Sequence, residues 1–392
     1  MWKWLTECRG VRDRAETEQE KLSSHRKPQE LRVDTDDFDP SWDGAAAVLA
    51  ARGGFGKAAR GDWWRWLLAE ARASFGVTGV EPADYARLRK EHAAIMAAGA
   101  AAAAAAGEGG GGGSGGGAGG GAGDGEDTGG GHPLYEVTRR NTDIVDKDIP
   151  RMHCFEDEVH ACKYATIQAQ ARRILLAYAV RNPAVGYCQG MDRICALFLV
   201  TMGSEEDAFA AFVFVIECVL INYHDRTLGG ARRAAEMFEL VLEDRVPEVL
   251  EKISSLPGSE AILPLLTTKW FITGFIDEVN SATAMRIWDL ILVNARSGWE
   301  ACRVPIAVAV AVFRLAADDF CREGTDDMQG MYRIMKNEIE MRLRGEQRSF
   351  QDALREELDA MPSLESLGGE EKGEEEKGGK AKAGKGGSEK KG

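Results

Sequence analysis

The chain has 392 residues and a net charge of −14. That length suits one large domain or two ordinary ones, and the acidic balance argues against a nucleic-acid binder, which carries a basic face. Its eight cysteines (8, 154, 162, 188, 195, 218, 302, 321) form no CxxC pair and no disulfide framework; most sit in apolar sequence as small hydrophobes, which fits a reducing compartment.

Residues 1–45 are charged and mixed and read as an N-terminal extension. Met1-Trp2-Lys3-Trp4 meets charge at once, so no secretory signal is expected. Residues 46–96 look folded and are rich in tryptophan. Ala97 to Gly131 is almost entirely alanine and glycine. Its alanine part supports helix for a turn or two; its glycine part does not, because glycine loses the most backbone entropy on ordering. This block reads as a disordered insertion that interrupts one domain over 46–345, at a closure cost that grows only with the logarithm of its length. The glycines match GxGxxG trivially, with no strand before them and no GK[ST] after.

From His132 the pattern is helical. Ile167, Ala171, Ile174, Leu175 and Tyr178 make one apolar stripe, predicting a helix over 164–181 that Pro183 ends. Ala208 to Ile221 is apolar nearly all round, as in a central buried helix. Glu217 interrupts it, and it falls short of the roughly 20 residues of a membrane span. Met237, Leu240 and Val241 form a further stripe before Pro247, and Ile306 to Leu315 reads as a buried helix despite its Val/Ala alternation. Residues 328–360 keep helical spacing (Met331, Ile334, Met335, Ile339, Leu343), so 346–362 reads as a helical extension. The Gly/Glu/Lys tail over 363–392 cannot bury a core and should be disordered. The fold class expected is all-α, in two packed subdomains, with no internal repeat.

Two short polar stretches stand out: Val145-Asp146-Lys147-Asp148-Ile149-Pro150-Arg151 and Gly186-Tyr187-Cys188-Gln189-Gly190-Met191. Each sets one long polar side chain on a loop beside a helix. Pro150 removes a donor, fixes its own φ and disfavours helix at Ile149, which suits a stiff turn presenting Arg151. A fixed positive charge and a water-orienting carboxamide are what GTP hydrolysis requires. The bland alternatives are a surface Arg151 paired with Asp148 or Glu156, a loop Gln189, and a Tyr187 that only packs. For Arg151 and Gln189 to meet one phosphate, the chain must bring both loops together, with residues 152–163 running back along a helix about 27 Å long.

These stretches resemble the IxxDxxR and YxQ signatures of the TBC-domain family, the GTPase-activating proteins of Rab-type small GTPases. Three further stretches resemble that family in its order: Arg60-Gly61-Asp62-Trp63-Trp64-Arg65-Trp66-Leu67-Leu68; Phe238 to Leu242 with Pro247 to Leu250; and Trp270 to Phe275 with Arg286-Ile287-Trp288-Asp289. The resemblance spans roughly residues 50–300. It implies that Arg151 is an arginine finger and Gln189 a glutamine finger, supplied in trans, with Asp148 and Tyr187 in support. It implies a Rab-type GTPase as partner, GTP and Mg²⁺ carried by that partner, and no cofactor, metal or independent active site of its own. It further implies a cytoplasmic protein, peripheral to endomembranes, that meets membrane only through its partner. The alternative is a TBC-fold binding module or scaffold that docks a GTPase without accelerating hydrolysis. Two departures favour that alternative: Met152 where the family has threonine, and Asp192 where it has asparagine.

Trp64, Trp270 and Trp288 are expected as core anchors together with Trp63 and Trp66. Arg60 belongs with this structural set, and Asp289 is expected to make a structural bond or cap a helix. Arg286 and Asp192 are candidates for touching the partner. His153, Cys154, His160 and Cys162 match no common structural zinc spacing, and no GxSxG is present.

Overall fold

The computed structural model describes residues 55–108, 133–256 except 157 and 160, 262–296, 298–322, a few positions between 327 and 334, and 347–361. The N-terminal extension, the glycine part of the insertion and the tail beyond 361 lie outside the described residues. Among those described, all regular structure is helical.

A first group of helices comprises α1 (Arg60–Phe75), α2 (Pro82–Glu108), α3 (Tyr135–Asp148), α4 (Ala161–Arg181), α5 (Met191–Met202) and α6 (Glu205–Phe214). Helix α1 buries Trp63, Trp64, Leu67, Leu68 and Ala71 on one face, a helical period. It stops at Gly76, whose φ of 63° only glycine adopts freely. The alanine run is not a turn or two of helix but the last three turns of α2, as the residue with the highest helix propensity allows. Gly99 within it lies flat against the Tyr135 ring, where a Cβ would overlap the aromatic carbons. The Ser204 hydroxyl caps α6 by accepting from Asp207 N at 3.2 Å. A single π-type turn, Val215–Val219, then extends α6, and the apolar run is buried on nearly every side.

A second group comprises α7 (Gly229–Arg245), α8 (Pro247–Ser254), α9 (Ile262–Thr273), α10 (Ser281–Val293), α11 (Gly298–Leu315), α12 (Ala317–Cys321) and α13 (Gln347–Ala360). The stripe expected on α7 is corrected: its buried face is Ala231, Ala234, Phe238 and Leu242, while Leu240 is 53% exposed. Both sets have helical spacing, and ring packing chooses between them. Phe238 meets Phe313 of α11 at 5.3 Å and Phe271 of α9 at 6.2 Å between centroids. The Val/Ala stretch of α11 is a buried helix flanked by α7, α10 and α13. Helix α13 is fastened there by Glu357, fully buried between Arg245 at 3.0 Å and Arg314 at 2.6 Å.

The two groups share one continuous core. Trp63, Trp64 and Trp288 are fully buried, Trp270 nearly so, and Trp66 partly. A polar knot joins α1 to α10. The buried Asp289 carboxylate accepts from Arg60 Nε at 3.1 Å, Trp64 Nε1 at 2.8 Å and Phe55 N at 3.3 Å. Arg286 stands behind this knot, 4.0 Å from Asp289. Burial holds its guanidinium below the ordinary arginine value, with Asp289 opposing. Arg286 faces Asp289 and lines the α10–α13 groove.

Candidate functional site

Helix α3 lies antiparallel to α4. Asp146 pairs with Arg172, and Ile149 and Met152, further along the chain, meet Gln168, one turn earlier on α4. The arginine turn therefore sits beside the middle of α4 rather than at its end. It is a single 3₁₀ turn, Ile149–Arg151, closed by Met152 N donating to the Ile149 carbonyl at 3.1 Å. Ile149 and Met152 are buried on either side of it, leaving Arg151 exposed between them. Met152 is thus a core residue, and its difference from the family pattern does not alter the presented surface.

The glutamine loop leaves the C-terminal end of α4 and folds back along α3. Gly186 turns the chain at φ 67°, so close to Asn141 that a Cβ would lie 2.7 Å from its Oδ1. That same Asn141 Oδ1 accepts from Tyr187 N at 3.0 Å. The Tyr187 ring is buried, and its hydroxyl donates to Asp148 Oδ2 at 2.9 Å. Tyr187 and Asp148 thereby tie the two loops to each other. The loops meet because the second returns along α3, not because residues 152–163 span the length of α4. Gly190, at φ 101°, closes the loop, and a side chain there would run into Ile272. Gln189 is left exposed.

Asp192 is corrected. It is wholly buried, accepts from Gly190 N at 3.2 Å and pairs with Arg193, which also reaches Asp277 at 2.9 Å. It satisfies a backbone donor at the start of α5, where a negative charge also suits the helix dipole. It presents nothing to a partner and no charge to an incoming phosphate.

The neighbours that could have neutralised Arg151 are otherwise engaged. Asp148 holds Tyr187, and Glu156 pairs with His153 at 2.9 Å. Among the described residues, neither the Arg151 guanidinium nor the Gln189 carboxamide has a hydrogen-bond or ion-pair partner. Burial, and then the Asp148 carboxylate, raise the Tyr187 phenol well above its ordinary value, so it remains a donor. Burial and Asp225 push the Cys188 thiol up to about 11, so it favours the protonated form. Among the described residues no group of His, Cys, Asp and Glu could hold a metal ion. His160 and the Cys162 side chain lie outside them. No helix of the described residues is long and apolar enough to cross a membrane.

Two residues at this site carry no signal in sequence. Asn141 and Gln168 are single polar positions within helices, and only the tertiary fold sets them against the two loops.

The all-α scaffold thus presents an exposed arginine and an exposed glutamine on two linked loops. Residues 133–320 match the family model of the Rab-GTPase-TBC domain. That segment is thus similar to the TBC domain of Rab GTPase-activating proteins. The chain is 32% identical over 155 residues to TBC1 domain family member 2A of Mus musculus, covering 39% of this chain and 16% of that protein. It is 35% identical over 160 residues to GTPase-activating protein gyp2 of Schizosaccharomyces pombe, covering 41% of this chain and 21% of that protein. The chain thus spans well under a third of the length of these relatives. Two solved structures share the fold. A Chlamydomonas flagellar RabGAP TBC domain has TM-score 0.54 at 18% identity, over 91% of this chain and 95% of that one. The Ypt/Rab-GAP domain of Gyp1p has TM-score 0.55 at 14% identity, over 88% of this chain and 97% of that one. The family match begins after α2, yet α1 is part of the same folded unit through the Arg60–Asp289 pair.

Proposed function

We propose that this protein stimulates GTP hydrolysis by a Rab-type small GTPase, with Arg151 and Gln189 supplied in trans. The observation that carries this reading is the Tyr187–Asp148 hydrogen bond, which links two loops whose arginine and glutamine are both exposed. The partner brings GTP and Mg²⁺. Arg151 offsets the charge that develops as the γ-phosphoryl group departs, and Gln189 orients the attacking water. An arginine supplied in this way is worth about 10³–10⁵ in rate. Membrane contact, on this reading, comes through the partner on endomembranes.

The binding-module alternative drew its support from Met152 and Asp192. Both are buried, so neither blunts the presented surface. The test is a hydrolysis screen of the purified protein across a panel of Rab-type GTPases loaded with GTP. Stimulation of at least one member is expected. Binding to a GTP-loaded member without stimulation of any would favour the alternative.

A further inference from the structure

The arginine turn has little to hold it from within. It is three residues long, lacks a side-chain cap, and contains Pro150, which has no N–H to give. A turn of that kind fixes the direction of an exposed arginine only if something outside it fixes the backbone. Gln168 stands opposite, half-buried on α4. Its Nε2 donates to the Ile149 carbonyl at 3.1 Å and to the Met152 carbonyl at 3.3 Å.

A carboxamide nitrogen has two hydrogens to give, and here both go to carbonyls that bracket Pro150-Arg151. The Ile149 oxygen already accepts from Met152 N within the turn, so Gln168 takes its second lone pair. The Met152 oxygen sets the peptide plane on the far side of Arg151. Pinning the chain before and after Arg151 fixes its Cα–Cβ direction. The Arg172–Asp146 pair, one turn further along α4, keeps α4 and α3 in the register this requires.

We infer that Gln168 is a positioning residue for Arg151, acting through the backbone on both sides of it. This rests on the reading of Arg151 as the arginine that meets the phosphate. Displacing a catalytic group by about 1 Å can cost on the order of 10²-fold in rate, so the effect belongs in kcat rather than in binding.

The experiment compares wild type, Arg151→Ala, Gln168→Met, Gln168→Glu and Gln168→Lys with a GTPase that the wild-type protein stimulates. Methionine keeps the shape and removes the donors. Glutamate keeps the shape and replaces donors with acceptors facing two carbonyls. Lysine restores N–H donors on a chain of sufficient reach. Gln168→Met should lower kcat by about 10- to 100-fold, with KM nearly unchanged and a modest fall in the thermal midpoint from the two lost hydrogen bonds. Gln168→Glu should be no better, and Gln168→Lys should recover most of the loss. Wild-type kcat in Gln168→Met, beside an inactive Arg151→Ala, overturns the role of Gln168 alone. Equal losses through KM and stability, with no rescue by lysine, also overturn it, because that is the behaviour of a packing residue. An Arg151→Ala protein as active as wild type overturns the arginine reading itself.

Discussion

Asp289→Ala removes the acceptor at the centre of the knot between α1 and α10. Its carboxylate is fully buried and takes Arg60 Nε at 3.1 Å, Trp64 Nε1 at 2.8 Å and Phe55 N at 3.3 Å. Arg60 itself is only 9% exposed. Truncation therefore leaves a buried guanidinium without its anion, a change that costs about 3–5 kcal/mol when one partner of a buried pair is removed. Trp64 Nε1 loses its partner as well, and an orphaned buried donor costs about 1–3 kcal/mol. These terms overlap, and Arg60 Nη2 keeps the Phe55 carbonyl at 2.7 Å, which relieves part of the first. The expected loss is about 4 kcal/mol, a large share of a typical total of roughly 5–15 kcal/mol. The assay is urea unfolding, read as a shift in midpoint at constant slope. Replacing both members, Arg60→Met with Asp289→Leu, should cost less than Asp289→Ala alone, because the Arg60 guanidinium is then not left buried without its anion. An Asp289→Ala protein within about 1 kcal/mol of wild type would refute the reasoning.

Tyr187→Phe removes only the hydroxyl that joins the loops; it should cost about 1–3 kcal/mol of stability and reduce stimulated hydrolysis at saturating GTPase, measured as kcat. An unchanged kcat would show that the link does not align the two residues. His224 is buried with Nε2 on the Ile272 carbonyl at 2.9 Å, and burial lowers its pKa to about 4. The unfolded chain takes this proton near pH 6.5, so the native state loses stability as pH falls from about 6.5 to about 4, by on the order of 3 kcal/mol. Comparing the urea midpoints of wild type and His224→Phe across that range checks it, since the mutant should lack this component. Replacing residues 109–131 with a short Gly/Ser linker should leave the thermal midpoint nearly unchanged, since the stretch offers little apolar surface to bury; a large drop would show that it packs on the domain.

The apolar stripes were legible because burial on a helix face repeats with the helical period. Ala171, Ile174, Leu175 and Tyr178 are buried as the spacing of α4 predicts. On α7 two stripes of equal spacing competed, and nothing local could show that the rings of α9 and α11 would claim Phe238. The length of helix in the alanine run was underestimated, because a flanking glycine run says nothing about where a strong helix former stops. Composition could place Arg151 and Gln189 on loops, but not the groups that hold those loops. Asn141 and Gln168 act across 46 and 16–19 residues of chain. Contacts of that kind have no periodicity to betray them. Asp192 was misjudged for a related reason. A carboxylate near a polar loop can face outward to a ligand or inward to a backbone donor, and the unmet N–H of Gly190 decides for the second.

The central claim is that Arg151 and Gln189 complete a partner's hydrolytic site, and single-turnover GTP hydrolysis tests it most directly. A GTP-loaded Rab-type GTPase from the panel is mixed with excess wild-type, Arg151→Ala, Arg151→Lys or Gln189→Ala protein. Wild type should accelerate hydrolysis. Both alanine variants should abolish or strongly reduce that acceleration while unfolding at the wild-type midpoint. Arg151→Lys should fail substantially too, because an ammonium does not reproduce the planar guanidinium fork. Acceleration by both alanine variants equal to that of wild type would contradict the account.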